Sequence, residues 1–271
     1  MRPLRLSLLL LIGLLTAAAC SPTAAVFPTA VEPKTITVLA AASLTESFTE
    51  IGQRFAAKNP GLRVTFSFAG SQQLAQQLDQ GAPADVFASA SQKYMDAAVI
   101  SKRVTAEAVK TFAKNRLVVI FPKDNPAGLK ELPDLAKAGI KIDLAEKSVP
   151  AGQYTLDFLD KASKDAAFPP AFKDAVLQNV VSYEDNVKAV VTKVTLGEVD
   201  AGIVYATDVT AEAAAKLGKL AIPDALNTVA AYPIAPISDS KHAGAAQAFT
   251  AFVLSADGQA VLAKYGFITH P

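Results

Sequence analysis

The chain has 271 residues, which is enough for a large hydrophobic core in one or two domains. Its 26 Lys and Arg nearly balance its 25 Asp and Glu, and 51% of the residues are hydrophobic. This balance excludes a basic surface for nucleic acid or for a membrane, and it excludes a charged disordered chain. One cysteine and two histidines exclude an intrachain disulfide and a Cys/His zinc site.

Residues 1–19 predict a signal peptide. Two arginines precede an apolar block over 8–15, and small residues lead directly to Cys20. The apolar block is too short to span a bilayer as a finished helix. Residues 20–33 contain prolines without hydrophobic periodicity, which predicts a tether. Loss of the two arginines lowers the formal charge of +1 by two, so the mature chain has a slight excess of acidic side chains.

The rest of the chain predicts alternating strands and helices. Leu44, Phe48, Ile51 and Phe55 recur on one face of a helix that closes at Asn59. Strands are predicted at 35–41, 62–68, 86–88, 117–121, 201–205 and 232–236. Helices are predicted at 44–59, 74–81, 156–162, 171–178, 187–196, 245–254 and 258–265. This order is typical of an α/β fold with open, mostly parallel sheets. Residues 110–116 are expected to form a solvated basic face.

Open α/β sheets bind ligands where a strand ends and the next helix begins. At the first such turn, Ser43 followed by Glu46 is a capping-box pattern. At the second turn, Ser71 follows Gly70, which lets the backbone approach a neighbour closely. Two helix N-termini side by side present free N–H groups and partial positive charge, and this combination suits an anion.

Two later turns repeat the arrangement. Ala151 follows a proline ahead of a predicted helix, so its amide is a candidate donor. Either Asp185 or Asn186 is expected to be the N-cap of the next helix, which makes the Val187 amide another candidate donor. The sequence therefore predicts an anion site that is shared by four turns and needs no Arg or Lys.

Five motifs occur in order along the chain from Thr35 to Phe267, and they read TITVLAAASLTESF, FAGSQQLAQQLDQGAPADVFASAS, VPAGQY, NVKAVVTKVTLGEVDAGIVYATD and KYGF. Together they resemble the periplasmic molybdate-binding proteins of molybdate ABC importers. The resemblance implies a two-lobed periplasmic binding protein fold, in which each lobe is a mostly parallel sheet flanked by helices and the ligand lies in the interlobe cleft. We expect lobe 1 at 34–116 plus 231–271 and lobe 2 at 117–230.

The resemblance also implies the site. The ligand contacts it implies are the hydroxyls and amides of Ser43 and Ser71, the amides of Ala151 and Val187, and the hydroxyl of Tyr205. They would bind molybdate, and tungstate as well, through its oxygen atoms, with no side chain coordinating the metal and no cofactor. The implied partner is the membrane permease of an ABC importer, and we expect a monomer.

The lone cysteine adds an expectation about location. Cys20 directly follows the small residues of the signal peptide, which resembles a bacterial lipoprotein signal. The resemblance implies a periplasmic or cell-surface protein that is anchored through lipidated Cys20. Plain secretion after cleavage near Ala19 is the alternative.

Sulfate and phosphate are alternative ligands. Molybdate, tungstate and sulfate are fully deprotonated at neutral pH, so their site should contain only donors. Hydrogen phosphate carries a proton and needs an acceptor, so Asp185 would favour phosphate if it faced the cavity. We expect Asp185 instead to cap a helix or to support the residues that contact the ligand.

A secreted serine hydrolase is a remote alternative. Ser238 and Lys241 match a Ser-x-x-Lys element, but the partner motifs Lys-Thr-Gly and Ser-Asp-Asn do not follow. Neither His242 nor His270 is placed near a candidate nucleophile, and both are expected at the surface. Asp85 is expected to be a structural polar group.

Overall fold

The strand predicted after the tether is present as Lys34–Ala41 (β1), and the computed structural model describes residues 34–269. The signal peptide, the tether with Cys20, and His270 lie outside these residues. The first predicted helix is present as Thr45–Lys58 (α1). Its apolar face is buried as the periodicity predicts, because the rings of Phe48 and Phe55 both pack against Phe249.

Ten further strands follow β1 within residues 34–269. They are Leu62–Ala69 (β2), Val86–Ala88 (β3), Lys110–Asn115 (β4), Leu117–Pro122 (β5), Ile142–Ala145 (β6), Val180–Glu184 (β7), Ala201–Tyr205 (β8), Leu217–Ala221 (β9), Ala230–Pro236 (β10) and Ile268–Thr269 (β11).

Eight further α-helices follow α1 in the same described residues. They are Ser71–Asp79 (α2), Gln92–Ile100 (α3), Pro150–Ala162 (α4), Phe172–Gln178 (α5), Val187–Thr195 (α6), Ala211–Lys216 (α7), Ala243–Leu254 (α8) and Ala256–Lys264 (α9). None of the helices in residues 34–269 has the length and apolar character needed to cross a bilayer.

The strands form two mixed sheets flanked by helices, one in each lobe. The first sheet has the strand order β11-β4-β10-β3-β1-β2, and the second has the order β7-β6-β8-β5-β9. Strands β1, β2 and β3 pair in parallel, as do β6, β7 and β8. The two-lobed α/β fold is thus confirmed.

The expectation of mostly parallel sheets needs correction. The pairs β3/β10, β4/β10, β4/β11, β5/β8 and β5/β9 are antiparallel. Parallel neighbours need a crossover connection within one sheet, whereas β5 and β10 enter their sheets from the other lobe. They are therefore free to pair in the opposite direction.

The solvated basic face expected at 110–116 is present only in part. Lys110–Asn115 form β4, which pairs with β10 on one side and with β11 on the other. Phe112 and Ala113 are buried, while Lys110 and Lys114 are exposed. The charged side chains occupy the outward positions of a strand, and their density hides the apolar positions between them.

The chain passes between the two sheets twice, once from β4 to β5 and once from β9 to β10. At these crossings the Asn227 side chain accepts from the Leu117 amide at 3.1 Å and donates to the Leu117 carbonyl at 2.9 Å. Strands β1 and β2 of the first sheet, and β6, β7 and β8 of the second, all end in turns that begin helices. These turns line the space between the lobes.

Candidate functional site

The structure brings the five predicted site residues together in one cavity between the lobes. Ser43, Ser71, Ala151, Val187 and Tyr205 are all buried, and all line one small cavity. The remaining lining residues are Ala41, Ala42, Ala69, Gly70, Ala90, Val149, Pro150 and Asn186. No lining side chain carries a charge. The cavity therefore consists of small side chains, hydroxyls and helix N-termini.

The capping-box prediction for Ser43 is wrong. Ser43 lies in a 3₁₀ turn over Ala42–Leu44, ahead of α1, and no side chain caps the N-terminus of α1. The Ser43 hydroxyl instead lies 2.9 Å from the hydroxyl of Tyr232 in β10. Glu46 extends away from its own helix start and pairs with Lys188 of the second lobe. Tertiary partners thus replace the local caps.

Ser71 is the first residue of α2, and Gly70 is its N-cap. The Ser71 hydroxyl oxygen accepts a hydrogen bond from the buried Ala90 amide at 3.0 Å. Because this oxygen already accepts, the Ser71 hydrogen remains available for the cavity. A Cβ on Gly70 would lie 2.5 Å from the Asp185 carbonyl oxygen of the other lobe. The glycine predicted to permit close approach does so across the interlobe cleft.

The second lobe contributes backbone amides. Helix α4 begins at Pro150, earlier than predicted, so Ala151 lies in its first turn rather than ahead of it. Helix α6 begins at Val187, and Asn186 is its N-cap because the Asn186 Oδ1 accepts from the Lys188 and Ala189 amides. The first amides of a helix have no acceptor within the helix. The Ala151 and Val187 amides are therefore free to bind an anion.

Tyr205 ends β8, and its ring is completely buried. Its hydroxyl has no hydrogen-bond partner within residues 34–269. Burial raises the pKa of Tyr205 well above its ordinary value, and the neighbouring Tyr232 and Asp208 add to this effect. The hydroxyl therefore stays protonated. A buried, unpaired donor that lines a cavity indicates a missing acceptor.

Asp185 does not line the cavity. It is exposed, and its Oδ2 accepts from the side-chain amide of Gln73 at 3.0 Å. Its backbone carbonyl accepts from the side-chain amide of Gln72 at 2.8 Å. Both glutamines belong to the first lobe, so these bonds join the two rims of the cleft. Because Asp185 does not face the cavity, it cannot accept the proton of hydrogen phosphate there.

Lys188 and Glu46 form a second link across the cleft. The Lys188 ammonium lies 2.8 Å from Glu46 Oε2 and 3.4 Å from Oδ1 of the buried Asp208. Burial alone would lower the pKa of Lys188, but Asp208 and Glu46 outweigh it and raise the pKa. Burial raises the pKa of Asp208 to about 6, against the effect of Lys188. Asp208 Oδ2 also accepts from the Tyr205 amide.

The other residues that the sequence analysis singled out lie outside the cavity lining. Asp85 is buried and accepts from the Thr37 amide at 2.7 Å and from Ser240 at 2.6 Å, which is a structural role. His242 lies at the surface with a side-chain exposure of 31%, and its Nδ1 lies 3.2 Å from Asp85 Oδ1. Lys241 is exposed in the loop that also carries Ser238.

Sequence reasoning missed the polar residues that support the site. Tyr232 and Asn115 lie behind Ser43, and Gln72, Gln73 and Lys188 join the lobes. All of these contacts bridge more than 100 positions of sequence, so no local pattern marks them. A wider groove opens beside the cavity between Tyr94 and Tyr183, and its lining, unlike that of the cavity, includes the charged residues Lys93, Glu146 and Lys147. Within residues 34–269 no three Asp, Glu, His or Cys side chains gather to hold a metal ion.

Comparison with known proteins adds the family. The model of the bacterial extracellular solute-binding protein family matches residues 36–268. The chain belongs to this family. As a family member, it is 36% identical over 261 residues to the molybdate-binding protein ModA of Mycobacterium tuberculosis, covering 96% of this chain and 95% of that protein.

Two solved structures share the fold of this solute-binding protein. The periplasmic molybdate-binding protein of Azotobacter vinelandii aligns with a TM-score of 0.75 at 19% identity, over 87% of this chain and all of that chain. The sulfate-binding protein SubI of Mycobacterium tuberculosis aligns with a TM-score of 0.76 at 19% identity, over 86% of each chain. One fold thus serves two oxyanions, and the choice between them depends on the cavity.

Proposed function

We propose that this solute-binding protein captures molybdate between its lobes and presents it to the membrane permease of an ABC importer. Tungstate is its second ligand, and it works without a cofactor. The observation that carries the proposal is the uncharged cavity lined by donors from five turns. The identity of 36% along nearly the whole chain to a molybdate-binding relative supports the same ligand.

The donor set fits a fully deprotonated dianion. The amides of Ala151 and Val187 lie at helix N-termini, where the helix dipole favours negative charge. The buried hydroxyls of Ser43, Ser71 and Tyr205 add donors. Donors that are fixed in a low-dielectric cavity bind an anion more strongly than solvated donors do.

Other oxyanions fit less well. Hydrogen phosphate carries a proton, and the lining side chains contain no carboxylate to accept it. Sulfate has the same charge as molybdate but shorter bonds to oxygen, so we expect it to make longer and weaker hydrogen bonds to donors on both lobes. Selection against phosphate therefore rests on hydrogen-bond polarity, and selection against sulfate rests on size.

Capture requires the lobes to close on the ligand. Gln72 and Gln73 bind Asp185, Glu46 pairs with Lys188, and the Tyr94 hydroxyl donates to the Ser148 carbonyl of the other lobe. In each of these contacts, at least one of the two residues lies within three positions of a residue that lines the cavity. Closure thus completes the cavity and forms its rim in one hinge movement.

Isothermal titration calorimetry of the mature protein with molybdate, tungstate, sulfate and phosphate tests the proposal. We expect saturable binding of molybdate and tungstate, with sulfate and phosphate at least about 100-fold weaker. Tyr205→Phe removes the unpaired hydroxyl and should weaken molybdate binding about tenfold. Sulfate binding as tight as molybdate binding would instead support the sulfate alternative.

We propose further that the mature protein is a monomer held at the outer face of the cytoplasmic membrane by lipidated Cys20. The position of this cysteine directly after a signal-peptide pattern supports the anchor. Mass spectrometry of the N-terminal peptide is expected to show a diacylated Cys20. An unmodified cysteine in membrane-free protein would contradict the anchor and leave the ligand proposal intact.

A further inference from the structure

Behind the cavity, a buried polar chain leads from the crossing between the lobes to Ser43. Tyr232 is fully buried in β10, and its hydroxyl lies 2.9 Å from the Ser43 hydroxyl. The Asn115 side-chain amide lies 3.3 Å from the same Tyr232 hydroxyl and 2.8 Å from the Thr207 hydroxyl. Neither Tyr232 nor Asn115 lines the cavity.

The direction of the hydrogen bonds among these buried side chains follows from Asn115. Its Oδ1 accepts from the Arg116 amide at 2.9 Å, so its nitrogen faces Thr207 and Tyr232. An amide nitrogen only donates, and its two hydrogens match these two hydroxyl oxygens. The Tyr232 oxygen is therefore an acceptor.

Because Asn115 donates to the Tyr232 oxygen, this arrangement favours a Tyr232 hydrogen that points to the Ser43 oxygen, 2.9 Å away. Burial raises the pKa of Tyr232 far above its ordinary value, so the hydroxyl keeps this hydrogen at every physiological pH. With its oxygen accepting from Tyr232, Ser43 directs its own hydrogen into the cavity. Ser71 is polarised in the same way by the Ala90 amide.

We propose that Tyr232, oriented by Asn115, is a positioning residue that makes Ser43 a donor only and thereby selects fully deprotonated oxyanions over hydrogen phosphate. This inference rests on the proposed function. An unconstrained serine hydroxyl can turn to accept the proton of hydrogen phosphate, whereas Ser43 in this chain cannot. The residue acts through Ser43 and has no contact with the ligand.

The first test is Tyr232→Phe, which removes the hydroxyl and keeps the ring. Titration at pH 8 should show about threefold weaker molybdate binding and a molybdate-to-phosphate affinity ratio that falls about tenfold. The matched control is Thr250→Val, which removes another buried hydroxyl of the same lobe, bound only to the Ala246 carbonyl. The control should leave the ratio unchanged. A ratio that Tyr232→Phe also leaves unchanged would overturn the inference.

The second test asks whether Tyr232 acts through Ser43. In a Ser43→Ala background, Tyr232→Phe should change neither affinity by more than about twofold, because the oriented hydroxyl is already gone. Equal effects of Tyr232→Phe in both backgrounds would show a structural role and refute the relay. Failure of the wild-type protein to bind molybdate would instead refute the proposed function.

A third variant reverses the direction of these hydrogen bonds, and it provides a further test if Tyr232→Phe does not fold. Asn115→Asp places an acceptor against Tyr232, so that Tyr232 donates to it and Ser43 donates to Tyr232. Ser43 then presents lone pairs to the cavity. Molybdate binding should weaken more than in Tyr232→Phe, by about 30-fold, while phosphate weakens less. Equal weakening of both ligands in folded protein would contradict the inference.

Discussion

The two walls of the cavity bind with different parts of the chain. The wall from the first lobe supplies serine hydroxyls, of which Ser71 accepts from the Ala90 amide and Ser43 pairs with the Tyr232 hydroxyl. The wall from the second lobe supplies the backbone amides of Ala151 and Val187 together with the Tyr205 hydroxyl. Side-chain substitutions therefore change the first wall strongly, whereas the amides of the second wall persist in almost any variant.

Removal of both serine hydroxyls gives the largest expected effect. The double variant Ser43→Ala/Ser71→Ala should bind molybdate at least about 100-fold more weakly, because two hydrogen bonds to a charged ligand are lost. On the other wall, Val187→Ala keeps the amide and should stay within about threefold of wild type. Calorimetry measures both affinities, and melting without ligand tests the fold. Similar losses in the two variants would contradict the division between the walls.

The meeting of the walls can be blocked without removing any donor. In Gly70→Ala the new Cβ would lie 2.5 Å from the Asp185 carbonyl of the other lobe. The Cβ would also lie 2.5 Å from the Gln72 side chain of the same lobe, which is flexible and can move aside. The clash with the other lobe's backbone opposes closure, so we expect about tenfold weaker molybdate binding with little change in the melting temperature of the free protein. Small-angle scattering should show a smaller compaction on adding molybdate.

Gly244→Ala is the matched control for this change. Gly244 lies in α8, and a Cβ there would meet no atom within 4 Å. The control should bind molybdate like wild type. Wild-type affinity in Gly70→Ala would mean that the lobes close less tightly than the structure indicates.

The two walls also differ in how well the sequence predicts them. The amides of Ala151 and Val187 follow from local signals, namely a proline at a helix start and an Asn N-cap. Local signals also indicate the two serine turns, but they do not indicate the hydrogen-bond partners of the serine hydroxyls. Ser43 matches a capping box and caps nothing, because Tyr232, 189 positions away, is its partner.

Long-range pairing explains the remaining errors as well. Tyr205 lines the cavity because β8 ends there, and the resemblance to a family, not periodicity, pointed to it. Strand β4 was missed because its outward lysines dominate the local composition. The alternation of strands and helices predicted the α/β class, while the antiparallel strands depend on how the chain crosses between the lobes.

The charged link between the lobes should make a smaller contribution than the donors. Glu46→Gln removes the interlobe partner of Lys188 but leaves the ammonium beside Asp208, so no buried charge is stranded. A partly exposed ion pair contributes little, and we expect molybdate binding to weaken about threefold. Added salt should reduce this difference from wild type.

Glu50→Gln is the control for the interlobe pair. Glu50 pairs with Arg54 and Lys264 inside the first lobe, so its loss should not affect closure or affinity. Affinity is measured by calorimetry at low and at high sodium chloride. An equal loss in both variants would indicate a general charge effect rather than a link between the lobes.

The lobes differ finally in how they bury a carboxylate. Asp85 of the first lobe accepts from Thr37, Ser240 and His242, whereas Asp143 of the second lobe has no hydrogen-bond partner within residues 34–269. Burial and the nearby Glu184 carboxylate raise the pKa of Asp143 to about 7, although Lys193 opposes them.

A raised carboxyl pKa means that the folded state binds a proton that the unfolded state releases. Asp143 should therefore cost no stability below about pH 4 and should destabilise the protein progressively as the pH rises from about 4 to 7. Asp143→Asn should raise the melting temperature by about 3 °C at pH 8 and by less than about 1 °C at pH 5. Asp85→Asn should lower it at both pH values, because that substitution removes an acceptor from paired donors. A pH-independent effect of Asp143→Asn would show that Asp143 is ionised in the folded protein throughout this range.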